Sequence, residues 1–323
     1  MSLAALDVHL TESDATAALR ADAAAGLTAE PKVLPPKWFY DARGSELFEQ
    51  ITELPEYYPT RTERALLADS VDDIAAASGA DTIVELGSGS STKTRLLLDA
   101  FIRAGILRSY VPQDVSEAAL RGALDTLADE YPDLELRGVV GDFTRDLGRL
   151  PRGGRRMIAF LGGTIGNLLP AERAAFLAHV RSVLDPGEQL LLGTGLVVAP
   201  EVVVPAYDDA AGVTAEFNRN VLHVLNRELD ADFVPDDFAH VAAWDAENEW
   251  IEMRLRATRA MTVHVRALDL VVEFAEGEEM RTEVSAKFHR NGVREMYAGA
   301  GFELTRWWVD PDERFGLSLA TAV

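Results

Sequence analysis

From about residue 61 the sequence alternates short, continuously apolar runs with stretches of helical period, a rhythm that leaves few architectures open. Strands are predicted at 82–86, 109–113, 134–140, 157–161 and 189–193, with helices near 62–78, 91–103, 116–130 and 170–184. A strand that is apolar on both faces must be covered on both faces, and right-handed crossovers place a helix over each parallel pair. This region therefore reads as a doubly wound α/β sheet. After Gly195 the rhythm breaks: 213–229 is helical with Phe217, Val221, Leu222 and Leu225 on one face, and 250–286 alternates like antiparallel strands. The tail offers a helix near 289–299 and two strand-like runs, 303–309 and 315–320, joined by a turn containing Asp310-Pro311-Asp312, a hairpin that would return the chain to the sheet.

The ends are less regular. Residues 1–30 are Ala-rich and suit one or two surface helices. The following segment is dense in Pro and aromatics, and a solvated linker would have no use for Trp38, Phe39, Tyr40, Phe48, Tyr57 and Tyr58, so it is expected to pack.

Charge and composition exclude several function classes. Thirty-one basic against 53 acidic residues give a net charge of −22, which repels nucleic acid and anionic lipid in the absence of a basic patch. No Cys is present, so disulfides, thiolate-held metals and a thiol nucleophile are ruled out. The six histidines show no metal-ligand spacing and read as surface or packing residues. No stretch approaches 18 apolar residues, and the expectation is a cytoplasmic monomer bound to neither membrane nor nucleic acid.

The strongest local signal is Val84-Glu85-Leu86-Gly87-Ser88-Gly89-Ser90-Ser91-Thr92-Lys93, a strand entering a glycine turn and then a helix. Glycines admit positive φ and close ligand approach, and the helix start offers unpaired N–H groups. Alone, this turn is also compatible with a tight connection that binds nothing. The next strand ends in Gln113-Asp114 and the third in Gly141-Asp142-Phe143, and either Asp alone could equally be a helix cap. Together they fit a nucleoside: Asp114 on the ribose hydroxyls, Asp142 on the adenine amino group, Phe143 against the ring. With a closing hairpin, the set resembles a class I S-adenosylmethionine-dependent methyltransferase. A second glycine-rich loop, Leu161-Gly162-Gly163-Thr164-Ile165-Gly166-Asn167, follows the fourth strand.

Longer motifs narrow the resemblance. Pro35-Pro36-Lys37-Trp38-Phe39-Tyr40-Asp41, Leu54-Pro55-Glu56-Tyr57-Tyr58-Pro59-Thr60-Arg61-Thr62-Glu63, Gly163-Thr164-Ile165-Gly166-Asn167, Tyr207-Asp208-Asp209 and Thr282-Glu283-Val284-Ser285 closely resemble the histidine-specific Nα-methyltransferases of ergothioneine biosynthesis, over essentially the whole chain. The resemblance implies three methyl transfers to the α-amino group of L-histidine, through its mono- and dimethylated forms, to give hercynine. It implies a methyltransferase domain of 61–196 and 287–323 and an α+β substrate domain of 1–60 and 197–286. Gly87, Lys93, Asp114, Asp142 and Phe143 match S-adenosylmethionine contacts. Asn167 and Tyr207 match residues on the substrate carboxylate, Tyr57, Glu283 and Ser285 those around the imidazole with Val284 between the last two, Tyr40 and Gly162 those lining the amine, and Met253 an apolar contact. The chain departs from the family pattern at Gly163, Gly195 and Ala286.

In-line displacement from a sulfonium needs alignment and exclusion of water, without metal or covalent nucleophile. The amine must lose a proton, with Tyr40 the candidate to receive it, and Tyr40, Phe48 and Tyr57 are expected to supply an aromatic lining that tolerates a quaternary amine. Two rivals remain at this stage: a methyltransferase of the same build for another amino acid or small amine, and a non-catalytic S-adenosylmethionine sensor.

Overall fold

The computed structural model describes residues 5–89, 91 and 93–323; Ser90 and Thr92 of the glycine-turn motif lie outside the described residues, as do 1–4. Contacts divide the chain into two units, one of residues up to Thr11 with Arg61–Leu196 and Phe288–Val323, the other of Glu12–Thr60 with Val197–Lys287.

The first unit is an eight-stranded sheet. Its strands are β1 (Ala5–Val8), β2 (Thr82–Leu86), β3 (Ser109–Asp114), β4 (Glu135–Val140), β5 (Arg156–Phe160), β6 (Gln189–Gly195), β12 (Phe302–Val309) and β13 (Phe315–Ala322), in the order β1-β4-β3-β2-β5-β6-β13-β12. The first six run parallel, while β13 lies antiparallel between β6 and β12. Helices α3 (Tyr58–Ser78), α4 (Thr94–Arg103), α5 (Glu117–Glu130), α6 (Pro170–Val183) and α9 (Arg290–Ala300) belong to the same alternation. Strands β2, β5 and β6 are buried at every position, which is why they read as unbroken apolar runs. The doubly wound sheet with a closing hairpin is as the sequence implied. Because β3 flanks β2 on one side and β5 on the other, the strand order reverses at β2, and ligands of such sheets bind beyond the carboxyl ends of the strands at that point.

One sequence expectation fails at the N-terminus. Residues 5–8 are not helical but form β1, paired parallel with β4 in register Ala5 to Arg137, and so belong to the sheet rather than with the rest of 1–60. Helix α1 (Glu12–Leu27) follows and is a surface helix as expected: Leu19, Ala23 and Leu27 recur at one-turn spacing and are buried, while the opposite side is exposed.

The second unit joins α1 to a 3-10 turn (Pro36–Phe39), α2 (Ala42–Thr52), α7 (Pro200–Tyr207) and α8 (Val213–Leu229). Its strands are β7 (Phe238–Asp245), β8 (Trp250–Ala257), β9 (Met261–Val265), β10 (Leu270–Phe274) and β11 (Glu279–Ala286), arranged as an antiparallel β11-β8-β7 sheet and a β9-β10 ribbon. The predicted stripe of α8, Phe217, Val221, Leu222 and Leu225, is buried with Phe39, Leu47, Phe238, Leu255 and Met280 in one core. Each such side chain withdrawn from water contributes about 1.5–3 kcal/mol, so packing against this core, rather than helix propensity, holds α8 in place.

Candidate active site

In the first unit the glycine turn after β2 supports a nucleoside site. Gly87 and Gly89 have φ of 67° and 49°, and among the described residues a Cβ at either would meet nothing within 4 Å, which leaves room for a ligand there. The Asp114 carboxylate closes it: Oδ2 accepts from Gly89 N at 2.9 Å and Oδ1 from Ser116 N at 3.0 Å. Asp114 is not the cap of α5; Ser116 is, accepting from Ala119 N. The carboxylate is therefore fixed by two backbone amides at the end of β3, with lone pairs remaining on each oxygen for a diol. Asp142 is held the same way, Oδ1 accepting from Thr144 N and Oγ1 at 2.8 and 2.6 Å. Phe143 packs on Phe160 and Phe176 with ring centroids 5.1 and 5.8 Å away, and remains half-buried.

Beneath the turn lies a network that sequence reasoning missed. Glu63, fully buried on α3, pairs with Lys93 and accepts from Gly162 N at 2.6 Å, tying the start of α4 to the loop after β5. Glu85 of the glycine motif is buried too, accepting from Thr94 Oγ1 and Tyr110 Oη, both at 2.5 Å; burial raises its pKa, opposed by these hydrogen bonds and by Lys93. Glu63 stood at the end of the Leu54–Glu63 motif, but nothing in a sequence distinguishes a buried glutamate from a solvated one. The loop Gly162-Gly163 opens a 3-10 turn, Thr164–Asn167, on which Asn167 is half-buried.

In the second unit the expected acceptor residues Tyr40, Tyr57, Tyr207, Met253, Glu283 and Ser285 do come together. A row of rings runs Tyr40, Phe48, Tyr57, Tyr207 with successive centroids 5.6, 6.2 and 6.1 Å apart, all near edge-to-face, and Phe217 adds a fifth ring 5.4 Å from Tyr40. Tyr40 follows the 3-10 turn, which α8 anchors: Asn220 Nδ2 donates to Phe39 O at 3.0 Å and to Asp41 Oδ1 at 2.8 Å. Asp41 in turn caps α2 by accepting from Gly44 N. Gly44 must be Gly, since a Cβ there would lie 1.7 Å from Phe39 O.

On β11 the register slips between Arg281 and Glu283, leaving Thr282 as a bulge whose Oγ1 donates to Asn218 Oδ1 at 2.6 Å and Met253 O at 3.0 Å. After the bulge Glu283 pairs with Met253 and Ser285 with Ile251, so Glu283 and Ser285 share one face, as expected, and Val284 takes the other. The Glu283 charge reaches three groups. It raises the pKa of Tyr40 and of Tyr207, in each case after burial as the larger cause, and it works against the burial that lowers Lys287. Tyr40 leaves 47 % of its surface open, but its hydroxyl is held neutral well above the ordinary tyrosine range.

Tyr207 Oη donates to Ser285 Oγ at 2.8 Å, and buried Lys287 donates to both oxygens at 2.9 Å with its ammonium 5.0 Å from the Tyr207 ring centroid. One boundary differs from the sequence reading: Lys287, placed with the other domain by the boundary at 286, belongs to this unit. Tyr207, matched to the substrate carboxylate, donates to Ser285 in this arrangement. His240 is a packing residue, as read: Nε2 meets Tyr207 O at 2.8 Å and Nδ1 meets Asn218 Nδ2 at 2.8 Å, and burial lowers its pKa. Among the described residues no cluster of three or more His, Asp or Glu is arranged to hold a metal, and no helix is long and apolar enough to cross a membrane.

Comparison with known proteins gives the same direction. The family described as histidine-specific methyltransferase, SAM-dependent, matches residues 19–322. The chain is 58 % identical to histidine N-alpha-methyltransferase of Mycolicibacterium smegmatis and 54 % identical to that of Mycobacterium tuberculosis, each over 97 % of both chains. It is 30 % identical to ergothioneine biosynthesis protein 1 of Neurospora crassa, over 90 % of this chain and 33 % of that longer protein. A sheet that reverses at its glycine turn, strand ends carrying fixed carboxylates and this breadth of match agree: the chain belongs to the S-adenosylmethionine-dependent histidine-specific methyltransferases.

Proposed function

We propose that the protein methylates the α-amino nitrogen of free L-histidine three times, producing hercynine, the first step of ergothioneine biosynthesis. The observation that carries this reading is Glu283 beside Ser285 on one face of β11, with Met253 opposite and a row of aromatic rings alongside. A carboxylate and a hydroxyl together suit a ring with two nitrogens, whereas an indole or a phenol has only one polar atom to offer.

The first unit is the cofactor half in this proposal. The open glycine turn fits S-adenosylmethionine, with Gly87 lining it, Asp114 on the ribose hydroxyls, Asp142 on the adenine amino group, Phe143 against the ring, and Lys93 held in place by Glu63. When bound, that group supplies an electrophilic methyl on a sulfonium. The protein's own work is to align an unprotonated amine and exclude water, tasks for which no metal is required.

The second unit is the acceptor half. Glu283 and Ser285 take the imidazole, with Tyr57 beside it and Met253 as the apolar wall. Tyr207, with its proton on Ser285, braces that hydroxyl. Tyr40 lines the amine. Because the Tyr40 hydroxyl is kept neutral by burial and by Glu283, it serves as a hydrogen-bond partner that orients the amine, and the departing proton goes to water. As methyls accumulate, the lost N–H donors are replaced by cation–π attraction from Tyr40, Phe48 and Tyr57. The strong negative charge favours a soluble monomer. Incubation with methyl-labelled S-adenosylmethionine and a panel of free amino acids tests the acceptor: label in histidine alone supports the reading, and label preferring tryptophan, tyrosine or no amino acid refutes it.

A further inference from the structure

The buried Lys287 has no part in methyl transfer as described above, and its surroundings are unusual for a lysine. Its ammonium donates to the hydroxyls of Tyr207 and Ser285, both at 2.9 Å, while Tyr207 Oη donates to Ser285 Oγ at 2.8 Å. An ammonium has donors and no acceptor, and a hydroxyl has one proton and two lone pairs. Both lone pairs of Ser285 are thus taken, one by Tyr207 and one by Lys287. Its single proton cannot go to either neighbour, so it can only be donated outward, on the strand face shared with Glu283.

Resting on the histidine reading given above, we propose that Lys287 is a positioning residue that commits Ser285 to donate, so that the pocket selects the neutral imidazole of histidine. Glu283 accepts from the ring's N–H, and Ser285 donates to the ring nitrogen that carries a lone pair. An imidazolium, which has a donor on both nitrogens, meets a donor at Ser285 and finds the Glu283 charge already offset by a cation. The charged and titratable groups that act on Lys287 are Glu283 on β11, the strand that Lys287 follows, and Tyr58 at the start of α3, with Tyr207 of α7 in direct contact; Tyr40, after the 3-10 turn, shares the field of Glu283. The lysine's own backbone N–H is fixed on Glu249 O at 2.8 Å, which anchors the side chain at the end of β11.

The test compares the pH dependence of kcat/KM for histidine in wild type and in Lys287→Met between pH 7.5 and 5.0. Protonation of the substrate amine lowers the rate of both enzymes alike. In wild type, protonation of the ring, centred at about pH 6 in free histidine because its α-ammonium lowers the ordinary side-chain value, removes roughly a further tenfold over that interval. Lys287→Met frees Ser285 to accept and leaves Glu283 without its counter-charge, so its fall should be at least fivefold shallower, with a raised KM at pH 7.5 and S-adenosylmethionine affinity within about twofold of wild type. A merely structural role predicts a uniform loss of rate with the wild-type pH dependence, and that result overturns the inference. Should Lys287→Met fail to fold, Lys287→Gln, which also lacks the fixed charge, is held to a fall at least threefold shallower. A wild type that is inactive on histidine overturns the functional reading and this inference with it; a wild type active on histidine whose pH dependence both variants share overturns the inference alone.

Discussion

The proposed cofactor half and the proposed acceptor half are built by opposite means. At the ends of β3 and β4, the groups assigned to the cofactor are fixed by backbone: Asp114 is held by the amides of Gly89 and Ser116, and Asp142 by that of Thr144. In the second unit, Tyr40, Tyr207, Glu283 and Lys287 come from segments separated by most of the chain, and they are fixed by side chains acting on side chains, with Tyr207 and Lys287 buried. Backbone-held groups at solvated turns need little from the rest of the protein. A pocket assembled from distant side chains depends on every partner, because buried polar groups are costly once unpaired. The two halves should therefore respond differently, and separately, to substitution.

The sharpest separation comes from Glu283→Ala. Loss of a charged acceptor for the imidazole should cost about 1.5–3 kcal/mol, roughly 10- to 150-fold in kcat/KM for histidine, while S-adenosylmethionine affinity without histidine stays within about twofold. A solvated strand glutamate would cost less than about 0.5 kcal/mol. Parallel loss of cofactor binding would break the division between the halves. Asp114→Ala is the mirror experiment. Its carboxylate is half-buried at a solvated turn, so the expected effect lies at the lower end of the same range, about 1.5 kcal/mol or roughly tenfold in the dissociation constant for S-adenosylmethionine by calorimetric titration. An unchanged constant would remove Asp114 from the site.

The smallest effect is on stability alone. Asp41 is held below the usual carboxylate range: burial works against this, but donation from Gly44 N, Asn220 and Arg227 outweighs it. A group whose folded pKa is depressed stabilises the fold above its unfolded pKa, about 3.9, and that contribution fades as pH falls through the lower folded value. Asp41→Ala should cost about 1 kcal/mol as a lost helix cap, lowering Tm by about 2–4 °C near neutrality. The gap to wild type should narrow below about pH 4 in thermal melts; a gap that widened on acidification would contradict the assignment.

Legibility in the sequence follows the same contrast. The parallel strands were readable because a fully buried strand is a continuous apolar run, and the glycine turn because its constraint is local. Strand β1 was not, since four residues with exposed ends cannot be told from the helix-favouring Ala-rich tract around them. Strand β7, with Ala239, Ala242 and Ala243 where β-branched residues would signal a strand, gave no alternation to detect. The acceptor residues were readable only through resemblance, because their grouping exists only once the chain has folded. Lys287 and Glu63 were invisible for a different reason: charged residues are almost never buried, so a sequence gives no cause to place them inside.

The most direct measurement is mass spectrometry of the purified protein incubated with S-adenosylmethionine and L-histidine, following products over time and locating the methyl groups by fragmentation. The account predicts successive gains of one, two and three methyls, all on the α-nitrogen, ending in a quaternary amine that gains no more. Methyl groups on the imidazole, or an unmodified histidine beside a productive turnover of some other amine, would contradict it.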